Sequence, residues 1–107
     1  MISPKTYFTI LSLAQRAKHP LLVFDLKTIR ANMAFLVRLG RKYNCRFIMA
    51  TKSFPHRLIL DEAHRAMQGF DVSNGREYKS LRPDLKGKLI WVSSPTLTLD
   101  RHFAAYT

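Results

Sequence analysis

Lys52 closes the apolar run 45–51, and nineteen residues beyond it lies Asp71, in the segment Gly69-Phe70-Asp71-Val72-Ser73-Asn74-Gly75-Arg76-Glu77. A lysine at the end of a buried strand is a candidate nucleophile. Lost hydration disfavours its ammonium form and readies the free amine to attack a carbonyl carbon. Asp71 and, six residues further on, Glu77 are the acids of that downstream segment. Plainer readings stay open for each: a strand-end lysine reaching water, an aspartate that caps a helix start, a glutamate that bonds loop amides.

The elements that would position these residues follow from hydrophobic periodicity. Phe8, Leu11 and Ala14 recur at helical spacing over residues 5–18, and His19-Pro20 ends that helix because the residue before proline is pushed out of the α region. Residues 21–24, Leu-Leu-Val-Phe, form a continuous apolar run that predicts a strand buried on both faces, with Asp25 closing it and starting the next helix. Ile29, Met33, Leu36 and Leu39 predict a helix over 27–42, with Arg30, Arg38 and Arg41 on its polar side. A strand over 47–50 follows. Pro55 stands at a favourable helix start, and Leu58, Ile59, Ala63 and Ala66 continue a helix to about residue 67. Further strands are expected at 70–73 and 89–92, a short helix at 76–81 stopped by Pro83, and a final helix at 100–106.

Strands alternating with helices predict an α/β fold with parallel strands joined by right-handed crossovers. Alternation along the second strand puts Ile48, Ala50 and Lys52 on one face, so the lysine continues an apolar face at the strand's carboxyl end. Active sites form at that end of parallel α/β barrels.

Met49-Ala50-Thr51-Lys52-Ser53-Phe54-Pro55 resembles the lysine motif of the fold-type III pyridoxal-phosphate enzymes, especially the ornithine, arginine and diaminopimelate decarboxylase family. Gly69 to Ser73, with Gly75 and Glu77, resembles that family's next motif. Residues 20–26 are similar to its opening strand and 90–95 to a later one, so the likeness is collinear from about residue 7 to 95. It implies a partial (β/α)8 barrel of the TIM type, with residues 1–107 as its amino-terminal part. A whole barrel takes about 250 residues. The second half of the barrel and the family's β-rich domain would lie outside this sequence, as would the ring-stacking histidine, the acid that partners the pyridine nitrogen and the glycine-rich phosphate loop.

The resemblance further implies that Lys52 forms the internal imine with pyridoxal 5′-phosphate, that Asp71 sits beside lysine and cofactor, and that Glu77 belongs to the cofactor site. The expected activity is decarboxylation of an amino acid by a homodimer. Racemisation on the same barrel, or a non-catalytic cofactor-binding or regulatory role, are the alternatives. Asn74, Arg76 and Leu97 depart from residues common in the family, which leaves the particular substrate open.

Composition bounds the remaining classes. Eighteen Lys and Arg against seven Asp and Glu give a formal charge of +11, which raises a small basic nucleic-acid-binding protein as a third class. The basic residues are spread over helix faces instead of forming one arm, so the sequence favours a solvated basic surface. Cys45 is the single cysteine, which excludes an internal disulfide and makes a reducing, cytoplasmic location the default expectation. Residues 7–14 are too short and too hydroxyl-rich for a secretory leader. No apolar run approaches the roughly 20 residues of a membrane-spanning helix. His56 and His64, eight apart, do not make a zinc helix, so no metal is expected.

Overall fold

The computed structural model describes residues 2–94. Helix α1 (Pro4–Arg16) begins where the sequence supplies a start signal: the Ser3 hydroxyl accepts the Thr6 amide at 3.2 Å and Pro4 fills the first turn, where its missing N–H is not needed. Helix α2 (Leu26–Lys42) starts on Asp25, whose Oδ1 accepts the Thr28 amide at 3.1 Å while Oδ2 accepts the Thr28 hydroxyl at 2.8 Å. Those two bonds from Thr28 hold the Asp25 carboxyl below the usual carboxylate range. At its other end Asn44 adopts φ 51°, and the Cys45 amide donates to the Gly40 carbonyl at 2.8 Å. This left-handed cap reverses the chain into the first strand. It also explains Gly40, where a Cβ would sit 2.5 Å from the Cys45 carbonyl oxygen.

Strand β1 (Met49–Ala50) is followed by a 3-10 turn (Thr51–Ser53), helix α3 (Arg57–Ala66), strand β2 (Gly69–Val72), helix α4 (Gly75–Ser80) and strand β3 (Leu89–Val92). The three strands form a parallel sheet in the order β1-β2-β3. Met49 pairs with Phe70 and Ala50 with Asp71; Gly69 pairs with Leu89 and Asp71 with Trp91. A Cβ on Gly69 would overlap the Leu89 carbonyl oxygen, so glycine is what lets β2 and β3 approach here.

The core lies on one side of the sheet. Phe70 and Val72 are fully buried, and with Met49 and Ile90 they pack under Met33 and Val37 of α2 and Ile59, Leu60, Ala63 and Met67 of α3 and its exit. Arg30 fixes α2 to α3 by a two-pronged bond to the buried Glu62, at 2.8 and 2.7 Å, and Arg65 adds a third contact at 2.7 Å. The opposite face carries Ala50, Gly69, Asp71, Leu89 and Trp91, and no described helix packs over it.

The fold is therefore α/β with parallel strands joined by helices, and four of the expected helices form within two residues of their expected bounds. Three expectations are revised. Residues 21–24 form no strand; Leu21, Leu22 and Val23 remain exposed, because Leu13 of α1 and Leu58 of α3 meet them only along a shallow groove and no strand pairs with them. The second strand is shorter than 47–50 and stops before Lys52. Its chain turns because the Ser53 hydroxyl donates to the Ala50 carbonyl at 2.6 Å, removing that carbonyl from any further ladder. Pro55 precedes α3 instead of opening it, and His56 is the cap, its Nδ1 accepting the Leu58 amide at 3.2 Å. The helix expected at 100–106 lies outside the described residues, as do Pro95 and Leu97. Among the described residues no helix is long and apolar enough to cross a membrane.

Candidate functional site

Parallel strands deliver their carboxyl ends to one rim, and the register decides which side chains share a face there. Ala50, Asp71 and Trp91 are lateral neighbours on the uncovered face. Two residues beyond Trp91, period-two alternation brings Ser93 back to that face. Its hydroxyl donates to Asp71 Oδ1 at 2.7 Å, and its amide continues the ladder to the Val72 carbonyl at 3.0 Å. Asp71 is thus half-buried and fixed by a charge-assisted bond across the β2–β3 pair.

Lys52 occupies the middle of the 3-10 turn that follows Ala50, the residue paired with Asp71. Its side chain is exposed, so the loss of hydration expected for a lysine ending a buried strand does not occur, because the chain has already turned out of the strand; Thr51 before it is fully buried with a hydroxyl that finds no partner among the described residues. The turn brings Lys52 to the same rim as Asp71, but no hydrogen bond or ion pair joins them. The lysine amine is uncommitted and the carboxylate spends one oxygen on Ser93. Behind the turn an aromatic brace holds the loop: the Phe24 ring meets Phe54 edge-on at 5.4 Å and lies 4.6 Å from the His56 ring. Phe24, the last residue of the unpaired 21–24 segment, therefore supports the lysine loop from the side.

Glu77 is placed differently. Asn74 caps α4 by accepting the Glu77 amide at 2.9 Å, and Glu77 returns the favour by accepting the Ser73 amide on Oε2 at 2.7 Å. This reciprocal cap belongs to the loop between β2 and α4. A six-residue helix cannot hold itself together without such end contacts, so Glu77 is committed to local structure and the sequence's alternative reading of it as a binder of loop amides describes its contacts.

Of the three residues singled out in the sequence, the structure gathers Lys52 and Asp71 at one rim and ties Glu77 into a cap beside it. Ser93 and Phe24 were not singled out, and His56 was weighed only as a metal ligand. Ser93 had a readable signal, since it lies at even spacing from Leu89 and Trp91 along a strand whose neighbour carries Asp71. Phe24 had none, because its partners come from a loop thirty residues away. Among the described residues no three His, Cys, Asp or Glu side chains group as a metal site.

Chemically, the rim offers an unpaired primary amine, an anchored carboxylate and an uncovered flat sheet face. That set suits attack on a carbonyl carbon followed by local proton transfer. No family model matches the sequence, and neither a curated protein nor a solved structure matches it.

Proposed function

We propose that the chain binds pyridoxal 5′-phosphate covalently through Lys52 and holds the attachment site of an amino-acid decarboxylase built on a (β/α) barrel. The observation that carries this reading is the register: Ala50 beside Asp71 sets the Lys52 turn next to a carboxylate anchored by Ser93, at the carboxyl end of a parallel sheet. The likeness of residues 49–55 and 69–77 to the decarboxylase motifs names the cofactor. In the barrel reading the uncovered face of Ala50, Asp71 and Trp91 is the barrel interior, which further strands would close.

The residues fit the aldehyde end and the ring of this cofactor. The Lys52 amine has no competing ion pair, and no described helix blocks the flat face on which Asp71 and Trp91 lie. When bound, the cofactor supplies an electron sink for the bond broken at the substrate Cα. Lys52 Nζ would hold it and, when free, would carry a proton beside the substrate. Asp71, steadied on Oδ1 by Ser93, keeps Oδ2 for the amine. A single lysine would serve one side of a ring, which would suit loss of a carboxylate; racemisation would ask for a base on both sides.

Titration of the full chain with pyridoxal phosphate tests the reading. A saturable visible absorbance band that disappears in Lys52→Ala and persists in Lys27→Ala is expected. A band unchanged in Lys52→Ala would remove the attachment site.

A further inference from the structure

The opposite rim of the sheet concentrates positive charge. Every crossover returns the chain to the amino ends of the strands, and four bonds stitch those returns together. The Phe47 amide donates to Gln68 Oε1 at 2.9 Å, the Gln68 amide to the Phe47 carbonyl at 3.3 Å, the Leu89 amide to the Gln68 carbonyl at 3.0 Å, and Lys88 Nζ to the Met67 carbonyl at 2.7 Å. Arg46 and Lys88 each stand one residue before a strand-end bond in that set. The left-handed cap at Asn44 folds the last turn of α2, with Arg41 and Lys42, onto the same rim, and Arg38 lies one turn behind.

Arg38, Arg41, Lys42, Arg46 and Lys86 are exposed and take part in none of the ion pairs; Lys88 spends its amine on a carbonyl. Among the described residues Asp84 stands against these six cations, while Glu62 is already held by Arg30 and Arg65. The carboxyl rim, by contrast, carries Lys27, Lys52 and Arg76 together with Asp25, Asp71 and Glu77, and Arg57 at the start of α3 is paired with Asp61. The cations that look scattered along the sequence are collected by topology at one end.

We propose that this rim binds the phosphate backbone of single-stranded nucleic acid. Three arginines supply planar forks suited to phosphate oxygens. Tyr43, 65% exposed, sits among them with Lys42 Nζ 5.4 Å from its ring centre, and its free face can stack a base. The rim is made of helix ends and turns, and among the described residues no helix or ribbon projects from it to enter a duplex groove, so recognition is through backbone charge and stacking, independent of sequence. An anionic lipid surface is the competing polyanion, and it would need apolar side chains interleaved with the cations to enter the interface.

Fluorescence anisotropy of a labelled oligothymidylate with the full chain, read against salt concentration, tests the proposal. Arg41→Glu with Arg46→Glu is expected to weaken binding by at least about 10-fold and to make the salt slope shallower by about 1.4 for two lost phosphate contacts. Tyr43→Ala should weaken it by about 5-fold or more. Lys27→Glu with Arg76→Glu changes net charge equally at the other rim and should alter affinity by less than about 2-fold. Arg41→Gln with Arg46→Gln replaces the reversal if circular dichroism shows the latter to unfold. Equal losses from both pairs, absence of binding to the wild-type chain, or binding to phosphatidylserine vesicles without binding to the oligonucleotide would each overturn it.

Discussion

Ser93 and Glu77 separate two kinds of contribution at neighbouring positions. Ser93 touches Asp71 and the β2–β3 ladder through different atoms, so removing its hydroxyl spares the backbone bond to Val72 and frees the carboxylate. Ser93→Ala is expected to weaken pyridoxal-phosphate binding by about 10-fold, the scale of one hydrogen bond to a charged group, with the unfolding midpoint nearly unchanged. Glu77 braces the loop before α4 through the Ser73 amide and the Asn74 cap. Glu77→Gln should cost about 1 kcal/mol of stability, the size of a cap, while Lys52 keeps its reactivity towards the cofactor. Paired denaturation and binding titrations check both; the opposite pattern would make Glu77 the site residue and Ser93 the structural one. That Lys52 and Asp71 come to one rim was readable because strand ending and spacing agreed. That Lys52 leaves the strand was not readable, since it depends on one bond from Ser53 to the Ala50 carbonyl.

Elements were legible where periodicity and capping pointed the same way. Helix α2 has a 3.6-residue apolar pattern, Asp25 at its start and Asn44 at its end, and it forms where those signals lie. β3 forms over the expected residues. The run at 21–24 misled because a continuous apolar segment states a need for burial without naming what will meet it. Helix α1 shows the same gap: it forms on local signals, yet buries no residue. The contact between α2 and α3 was also hidden, because Arg30 and Glu62 are thirty-two residues apart. Glu62 is held below the usual carboxylate range chiefly by its bond to Arg30, against an opposing push from burial. Asp61 is lowered by its bond to Arg82. Carboxyls with depressed folded values contribute stability that is complete above the unfolded value of about 4.3 and is lost as pH falls through the folded one. The thermal midpoint should therefore fall on acidification below about pH 4.3, and Glu62→Gln should lower it by several degrees at neutral pH while flattening the acid limb. A mutant with an unchanged acid limb would show that the Arg30–Glu62 pair does not govern it.

On the scale of the whole molecule, one sheet divides two environments. Its helix-covered face holds the buried core; its other face bears Asp71 among exposed Leu89 and Trp91. The two ends of the strands differ as sharply, one with balanced charge and an uncommitted amine, the other strongly basic. Trp91 is the only tryptophan and is 59% exposed, so it reports on the uncovered face alone. Its emission in dilute protein should be that of a hydrated indole and readily quenched by acrylamide. A blue-shifted, shielded emission at the same dilution would show that the face is covered. Quenching should fall when pyridoxal phosphate is added, and should not fall in Lys52→Ala.

The attachment point itself can be read covalently. The chain contains eight lysines, and pyridoxal phosphate added at low ratio, followed by borohydride reduction and peptide mapping, reports which of them reacts. Lys52 should carry most of the label, the other seven little, and Ser93→Ala should lower the share on Lys52. Label spread evenly over the exposed lysines, or concentrated at another position, would contradict the account of this site.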